Sequence, residues 1–415
     1  MDAHKKLDLS AIATIPIIMT LANSMLIPVL PLMEKKMNIS STQASLIITV
    51  YAAVAIIFIP IAGYLSDRIG RKKVIIPSLL LAAIGGAVSG LAAWLMKDNG
   101  YWVVLLGRFI QGIGAAGAFP IVLPLVGDLF KSEEDVSSGL GLIETSNTLG
   151  KVLSPVLGSA LALIVWYLPL LVIPFICLVS LFAVLFMVKE PSTAKSKGSS
   201  FRKYMKDIKT IFQREGRWLF AIFLIGGISM FVIFGFLFYL SEILEIRYRI
   251  DGIWKGLLLS IPLSAICASS FIGGKVAQGS KKRMKWMSCS GMLLLAAAML
   301  CCAIINPDSR FVLLGLMFAA GIGVGLALPC LDALITEGIE KNQRGIITAL
   351  YSSMRFIGVA GGPLFTAVLI KHDVALFYTF TGISTAAGLL ALLAVKPDEE
   401  PQSQGSKLQT GESRV

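Results

Sequence analysis

The sequence predicts an all-α membrane protein of twelve transmembrane helices in two pseudo-symmetric six-helix bundles. Three observations predict this: an apolar composition, a train of apolar runs of spanning length, and a duplication of glycine and proline positions between the two halves. Of the 415 residues, 56% are hydrophobic and 15% are charged, where a soluble domain carries roughly 25% charged residues. No soluble core can hide that much apolar surface, so lipid is the solvent for much of it. The runs fall at 11–33, 43–66, 74–96, 102–126, 138–163, 166–188, 218–240, 254–278, 286–305, 311–335, 345–370 and 374–395. Each is about 20 residues long, which at 1.5 Å per residue crosses a ~30 Å hydrocarbon core. The first run is too long for a signal-peptide core and lacks a small-residue cleavage site, so it reads as a span.

An even number of spans puts both termini on one side. The net charge of +12 would suit nucleic acid, but its placement points to a bilayer. With Met1 in the cytoplasm, 26 Lys and Arg fall in cytoplasmic segments and 8 in external ones, counting Lys255 and Lys275 with the loops they adjoin. Arg108, Lys151 and Arg355 remain inside spans. That bias is the positive-inside pattern. It places both termini in the cytoplasm and makes the bilayer, with no nucleic acid, the expected partner.

The chain divides into a six-helix unit over 1–188, a basic linker over 189–217, a second six-helix unit over 218–396 and a polar tail over 397–415. The linker carries nine Lys and Arg. Its stretch 201–217 reads either as a short basic helix on the anionic inner leaflet or as a solvated connector. The tail is expected to be disordered.

The duplication is visible at fixed offsets. Gly112-Ile113-Gly114 precedes Pro120, and Gly321-Ile322-Gly323 precedes Pro329, each 209 residues later. Gly150 precedes Pro155, and Gly358 precedes Pro363, each 208 residues later. Gly273-Gly274 followed by Lys281, Lys282 and Arg283 is a weaker echo of the loop after the second span. Duplicated halves with a site between them are an alternating-access architecture. Cys177, Cys267, Cys289, Cys301, Cys302 and Cys330 lie in apolar runs without paired spacing, so they are read as packing residues. His4 and His372 are the only histidines. No nucleophile–base pair, metal cluster or phosphate loop stands out, so neither an enzyme nor a cofactor or metal is expected.

The segment Gly63-Tyr-Leu-Ser-Asp67-Arg68-Ile-Gly70-Arg71-Lys72-Lys73 resembles the signature loop between helices two and three of the major facilitator superfamily. The resemblance implies a monomeric secondary carrier that moves a small molecule by alternating access. It implies that Asp67 latches the halves on the cytoplasmic side, near Gly345 at the start of the eleventh span. Arg71 would then bridge Asp67 to Asp128. Gly63 would allow close helix approach and Gly70 a tight turn.

Three further stretches resemble the twelve-helix drug–proton antiporter branch of bacteria. They are Leu21-Ala22 with Pro28-Val-Leu-Pro31; Arg108-Phe-Ile-Gln111-Gly112-Ile-Gly114; and Gly150-Lys-Val-Leu-Ser154-Pro155-Val-Leu-Gly158-Ser159. In the last, Ser154 and Ser159 stand where that branch has glycine, and Lys151 adds a charge. The branch implies proton-coupled export of amphiphilic molecules such as drugs across a bacterial cytoplasmic membrane, with Arg108 linked to proton coupling. Gly112, Gly150, Pro155, Gly158 and Pro363 are read as packing and pivot positions.

Charge inside a bilayer is costly, so such residues are functional candidates. Glu144 is read as a protonatable carboxylate facing the cavity, or as a residue at the membrane edge. Asp332 is the competing proton site. Proton-coupled export of small amphiphilic molecules is the leading reading. Lys151 and Arg355 in a cavity would attract an anionic or zwitterionic group, which favours its first rival, a dedicated exporter of an anionic metabolite such as a siderophore or lipid-linked sugar; the alternative is that either cation pairs with a carboxylate and does not touch substrate. Nutrient uptake is the third reading. Asn23 is read as a hydrogen-bonding partner either of substrate in the cavity or of another helix, and the aromatic-rich stretch Phe231, Phe234, Phe236, Phe238 and Tyr239 divides between cavity, neighbouring helices and lipid.

Overall fold

The structure, a computed structural model, describes residues 3–96, 100–130, 133–188, 201–277, 281–338 and 344–395. Among them stand twelve helices of membrane-spanning length and composition. They are α1 Leu7–Met37, α2 Ser41–Ile69, α3 Arg71–Leu95, α4 Tyr101–Leu129, α5 Thr145–Ile164, α6 Leu168–Met187, α7 Gly216–Ile246, α8 Gly252–Gly274, α9 Lys281–Ile305, α10 Arg310–Ile335, α11 Ile347–Leu369 and α12 Asp373–Ala394. Successive helices run in opposite directions. One end of the bundle therefore holds the start of α1 and the end of α12, here called the terminal face. The other is the distal face.

The packing repeats. In the first half α1 packs on α5 and α6, α2 on α4, and α3 on α4 and α6. In the second half α7 packs on α11 and α12, α8 on α10, and α9 on α10 and α12. Adding six to each label of the first set gives the second. Two seams join the halves, α2 on α11 and α5 on α8, and the same rule exchanges them. The bundles are thus related by a pseudo-two-fold axis. The apolar windows of α1 and α7 are 83% and 78% buried, against 33% for α6, which sets α1 and α7 near that axis and α6 at the rim.

Local chemistry explains the irregular points. In α1 regular helix ends at Ser24, a 3-10 turn covers Ile27–Val29, and helix resumes over Leu30–Met37. Pro28 and Pro31 each lack a backbone donor, so the hydrogen-bond ladder cannot continue through them. In α4 the break falls between Ala118 and Val122, where Pro120 has the same effect. Ser40 and Gln43 form a reciprocal capping box at the start of α2, satisfying donors that the first turn leaves open. Gly70 has φ +112°, a value side chains rarely tolerate, and there the chain reverses from α2 into α3.

The helices outrun the apolar runs. The helix containing α7 is continuous over Phe201–Ile246, so the basic stretch after residue 200 is its leading turns rather than a separate element. The helix containing α5 begins at Glu133. An apolar run marks the hydrocarbon boundary, whereas a helix persists wherever its polar turns still pack on protein or reach water. The remaining linker residues 189–200 and the tail 397–415 lie outside the described residues.

Candidate functional site

A narrow cavity lies between the halves. Its wall comprises Ser24 and Ile27 of α1; Lys151, Ser154 and Pro155 of α5; Met230, Ile233, Phe234 and Leu237 of α7; Leu259, Leu263 and Ile266 of α8; and Leu328 of α10. Lys151 is the one charged residue among them. Apart from that ammonium and the Ser24 and Ser154 hydroxyls, the wall is apolar. Of the aromatic stretch in α7, Phe234 lines the cavity. Phe236 and Phe238 are buried. Phe231 packs on Phe365 and Phe380, and Tyr239 on Phe377.

The distal side of the cavity is closed. Moving distally from the wall, Ser241 donates to the carbonyl of Ile27 at 3.0 Å. The Gly256 backbone lies against the Pro155 carbonyl and Ser159, and Gly252 against Leu163. Thr49 donates to the carbonyl of Ala360 at 2.8 Å, and Tyr51 meets Phe356 with ring centroids 6.4 Å apart. Each of these contacts joins the two halves.

The same closed seam holds charge that the sequence reading left in an outer loop or passed over. Glu245 of α7 accepts from Lys35 of α1 and from Lys255 of α8, each at 2.7 Å. Glu242 of α7 is 1% exposed, and neither of its carboxylate oxygens has a donor. The Glu34 carboxyl of α1 lies within hydrogen-bond reach of it. Glu34, Lys35, Glu242 and Glu245 follow the apolar runs 11–33 and 218–240, and Lys255 stands at the start of the run 254–278. A signal was available: Glu242 stands 208 residues after Glu34, the offset relating Gly150 to Gly358.

On the terminal face, the loop after α2 forms a compact ion cluster. Arg71 pairs with Asp67 four residues earlier, donates Nε to Asp128 of α4 at 3.2 Å, and donates Nη1 to the Ser66 hydroxyl at 2.7 Å. Ser66 in turn donates to the Gly63 carbonyl at 2.8 Å. Arg68 is exposed. The surroundings of Gly345 lie outside the described residues. Asp67 and Asp128 remain partly wetted, so the pairing is modest in strength. In thermal melts, Arg71→Ala is expected to lower the midpoint, with Arg71→Ala/Asp128→Asn no less stable than Arg71→Ala alone, because Asp128 then has no buried charge to balance. Additive losses would separate the two residues.

Arg108 is fully buried inside the first bundle. Its Nε donates to the Ile47 carbonyl at 2.8 Å, Nη1 to the Ala22 carbonyl at 3.2 Å and to Gln111, and Nη2 to Asn23 Oδ1 at 2.6 Å. Its guanidinium sits 4.5 Å from the Tyr51 ring centroid, a cation–π geometry. The arginine thus ties α4 to α1 and α2. Asn23 gives its side-chain oxygen to Arg108, while its neighbour Ser24 reaches the cavity wall. In the second bundle Arg355 donates to Asp332 at 3.4 Å across α11 and α10 and stands over the Tyr351 ring at 5.6 Å. The side chain of Glu144 lies outside the described residues.

Close helix contacts fall at the small residues singled out by the repeat. A Cβ on Gly112 would stand 2.5 Å from the Tyr51 carbonyl oxygen, and one on Gly150 would stand 3.0 Å from that of Ile17. Gly158 lies against the Met25 carbonyl, where α1 breaks. Pro155 and Pro363 stand inside their helices.

A sequence profile described as Major Facilitator Superfamily matches residues 12–363 and 256–414. A protein named Bacillibactin exporter, from Bacillus subtilis (strain 168), is 50% identical over 400 residues, covering 95% of this chain and 98% of that one. The class B tetracycline resistance protein of Escherichia coli is 26% identical over 425 residues, covering 95% and 98%. Among solved structures, a D-xylose–proton symporter superposes with a TM-score of 0.75 at 15% identity, covering 95% of this chain and 98% of that one. A human organic anion transporter gives 0.71 at 20% identity, covering 94% and 100%.

Proposed function

The chain belongs to the major facilitator superfamily, and from that membership we propose that it exports a small anionic metabolite of the siderophore class. The observation that carries the substrate class is the 50% identity, over nearly the whole of both chains, to the protein named Bacillibactin exporter. The ammonium of Lys151 in a largely apolar wall suits a ligand with an anionic group and apolar bulk, which supports the same class. The drug-efflux relatives stand at 24–26% identity, too distant to outweigh it.

In this reading the termini and the Arg71 cluster face the cytoplasm, the distal seam faces outward, and the protein sits in the bacterial cytoplasmic membrane. The halves rock about the cavity, so that it opens to one side at a time. The cargo enters from the cytoplasm, its anionic group meets Lys151, and opening of the distal seam releases it. Protons moving inward would supply the driving force, and the chain would work as a monomer.

The reading is tested by expressing the chain in a bacterium lacking its own siderophore exporter. Restored secretion of bacillibactin, lost again in Lys151→Met, is expected. Unchanged secretion together with raised tolerance to unrelated drugs would favour multidrug efflux instead. Removing a charge-assisted contact worth about 1.5–3 kcal/mol should weaken apparent substrate affinity by roughly 10- to 100-fold in Lys151→Met. Lys151→Arg should keep most of it.

A further inference from the structure

We propose that Glu34 and Glu242 form a proton-binding site in the distal gate, holding one proton between their carboxyl groups when the gate is closed and releasing it to the distal water when the gate opens.

The seam gathers three carboxyls, Glu34, Glu242 and Glu245, and two ammoniums, Lys35 and Lys255. Both ammoniums bond Glu245, at 2.7 Å each. Asp251, exposed in the loop between α7 and α8, adds a negative field around Lys35. Lys255 also exerts an attraction on Glu242, but its hydrogen bond goes to Glu245. Glu242 is therefore left facing Glu34 with no donor on either oxygen. Glu34 accepts from the Ser41 hydroxyl at 2.9 Å through one oxygen, and its other oxygen is buried without a donor.

Two carboxylates facing each other away from water repel, and neither can donate. A single proton changes both facts at once. One carboxyl becomes an O–H donor, the other remains an acceptor, and three oxygens without donors become a hydrogen-bonded pair. Among the described residues no other donor reaches these oxygens.

The location makes the proton conformational. Glu34 is on α1 and Glu242 on α7, in opposite halves and separated by the repeat offset of 208 residues. Residues related by a pseudo-two-fold axis meet only near that axis, and they separate when the halves tilt apart. Opening the gate pulls the two carboxyls apart into water, where each ionises independently. Closing it brings them together and is favoured when one of them is protonated. The Lys35–Glu245 bridge crosses the same seam and adds attraction that needs no proton. The site therefore makes gate closure depend on distal pH, whatever the cargo.

The sign follows directly. Low pH fills the site and favours the closed gate, while high pH empties it and favours the open one. Glu242→Gln supplies a permanent donor with the same shape, so it should hold the gate closed at every pH.

The test uses the full chain in lipid nanodiscs. Spin labels carried on noncanonical amino acids are placed at Trp102 and Phe311, which are 73% and 71% exposed at the distal starts of α4 and α10. Pulsed electron resonance then reads the distance across the distal face from pH 5 to pH 9. The long-distance population should grow with pH in the wild type and stay small in Glu242→Gln and in Glu34→Gln. Glu245→Gln, which removes the negative charge that both ammoniums pair with, should raise that population at all pH values while keeping the pH slope. A wild-type distribution that does not move with pH overturns the proposal. So does a pH slope in either Gln variant equal to that of the wild type. Glu34→Gln keeps the test decisive if Glu242→Gln does not fold.

Discussion

Arg108→Ala is expected to lower the stability of the first bundle by about 3–5 kcal/mol, since several buried acceptors lose their donor at roughly 1–3 kcal/mol each. The acceptors are the carbonyls of Ile47 and Ala22 and the side chains of Asn23 and Gln111. The Tyr51 ring also loses its cation, and the space of a fully buried arginine opens between α1, α2 and α4. Arg108 itself is fully buried. Arg108→Lys should recover only part of the loss, because one ammonium cannot reach four acceptors arranged around a planar fork. Thermal melts of purified protein in detergent rank the three proteins: wild type highest, lysine intermediate, alanine lowest. Transport should fall in the same order. An alanine variant that melts with the wild type would mean that the arginine does not hold these helices together.

Gly158→Leu should have a comparable effect by a steric route. At Gly158 the α5 backbone lies against the Met25 carbonyl so closely that even a Cβ overlaps it. That carbonyl is backbone at the break in α1, so it cannot rotate away as a side chain would. A leucine must push α5 off α1 and open the wall that carries Lys151. Helix pairs in lipid rest on close packing of small residues, with no hydrophobic drive to restore a spread pair. The folded fraction after membrane extraction, read by size-exclusion chromatography, should collapse. Gly127→Ala is the matched control, since nothing lies within 4 Å of a Cβ there, and it should extract normally.

Much of the fold was legible because lipid imposes simple rules on sequence. Twelve apolar runs became twelve helices, and offsets measured on Gly112, Gly150, Pro120 and Pro155 anticipated the repeated packing of the two bundles. Helix ends were less legible. The apolar run in α7 stops at residue 240, but the helix continues to Ile246, because its last turn packs into the seam instead of entering water. Glu242 and Glu245 lie on that turn.

The site was legible in part. Lys151 stood out as a cation among apolar neighbours, and the cavity wall includes it. Asn23 looked equally available, but its oxygen is engaged by an arginine 85 residues away, a pairing that no local pattern reports. The Arg71 cluster joins residues 57 apart, Arg71 and Asp128. It was anticipated from the resemblance and not from spacing. Glu34 and Glu242 carry the repeat offset as well, but packing marks a repeat most plainly at glycines and prolines, and a pair of charges at the ends of apolar runs looks like ordinary loop chemistry.

In the function proposed above, the cavity takes an anionic metabolite of the siderophore class and carries it outward. The most direct measurement is uptake into inside-out membrane vesicles, whose lumen corresponds to the cell exterior, with an acid-inside gradient imposed. Labelled bacillibactin should accumulate saturably, collapse with a protonophore, and fall sharply in Lys151→Met, while tetracycline should not accumulate. Vesicles that concentrate tetracycline and unrelated lipophilic cations, and leave bacillibactin outside, would contradict the account.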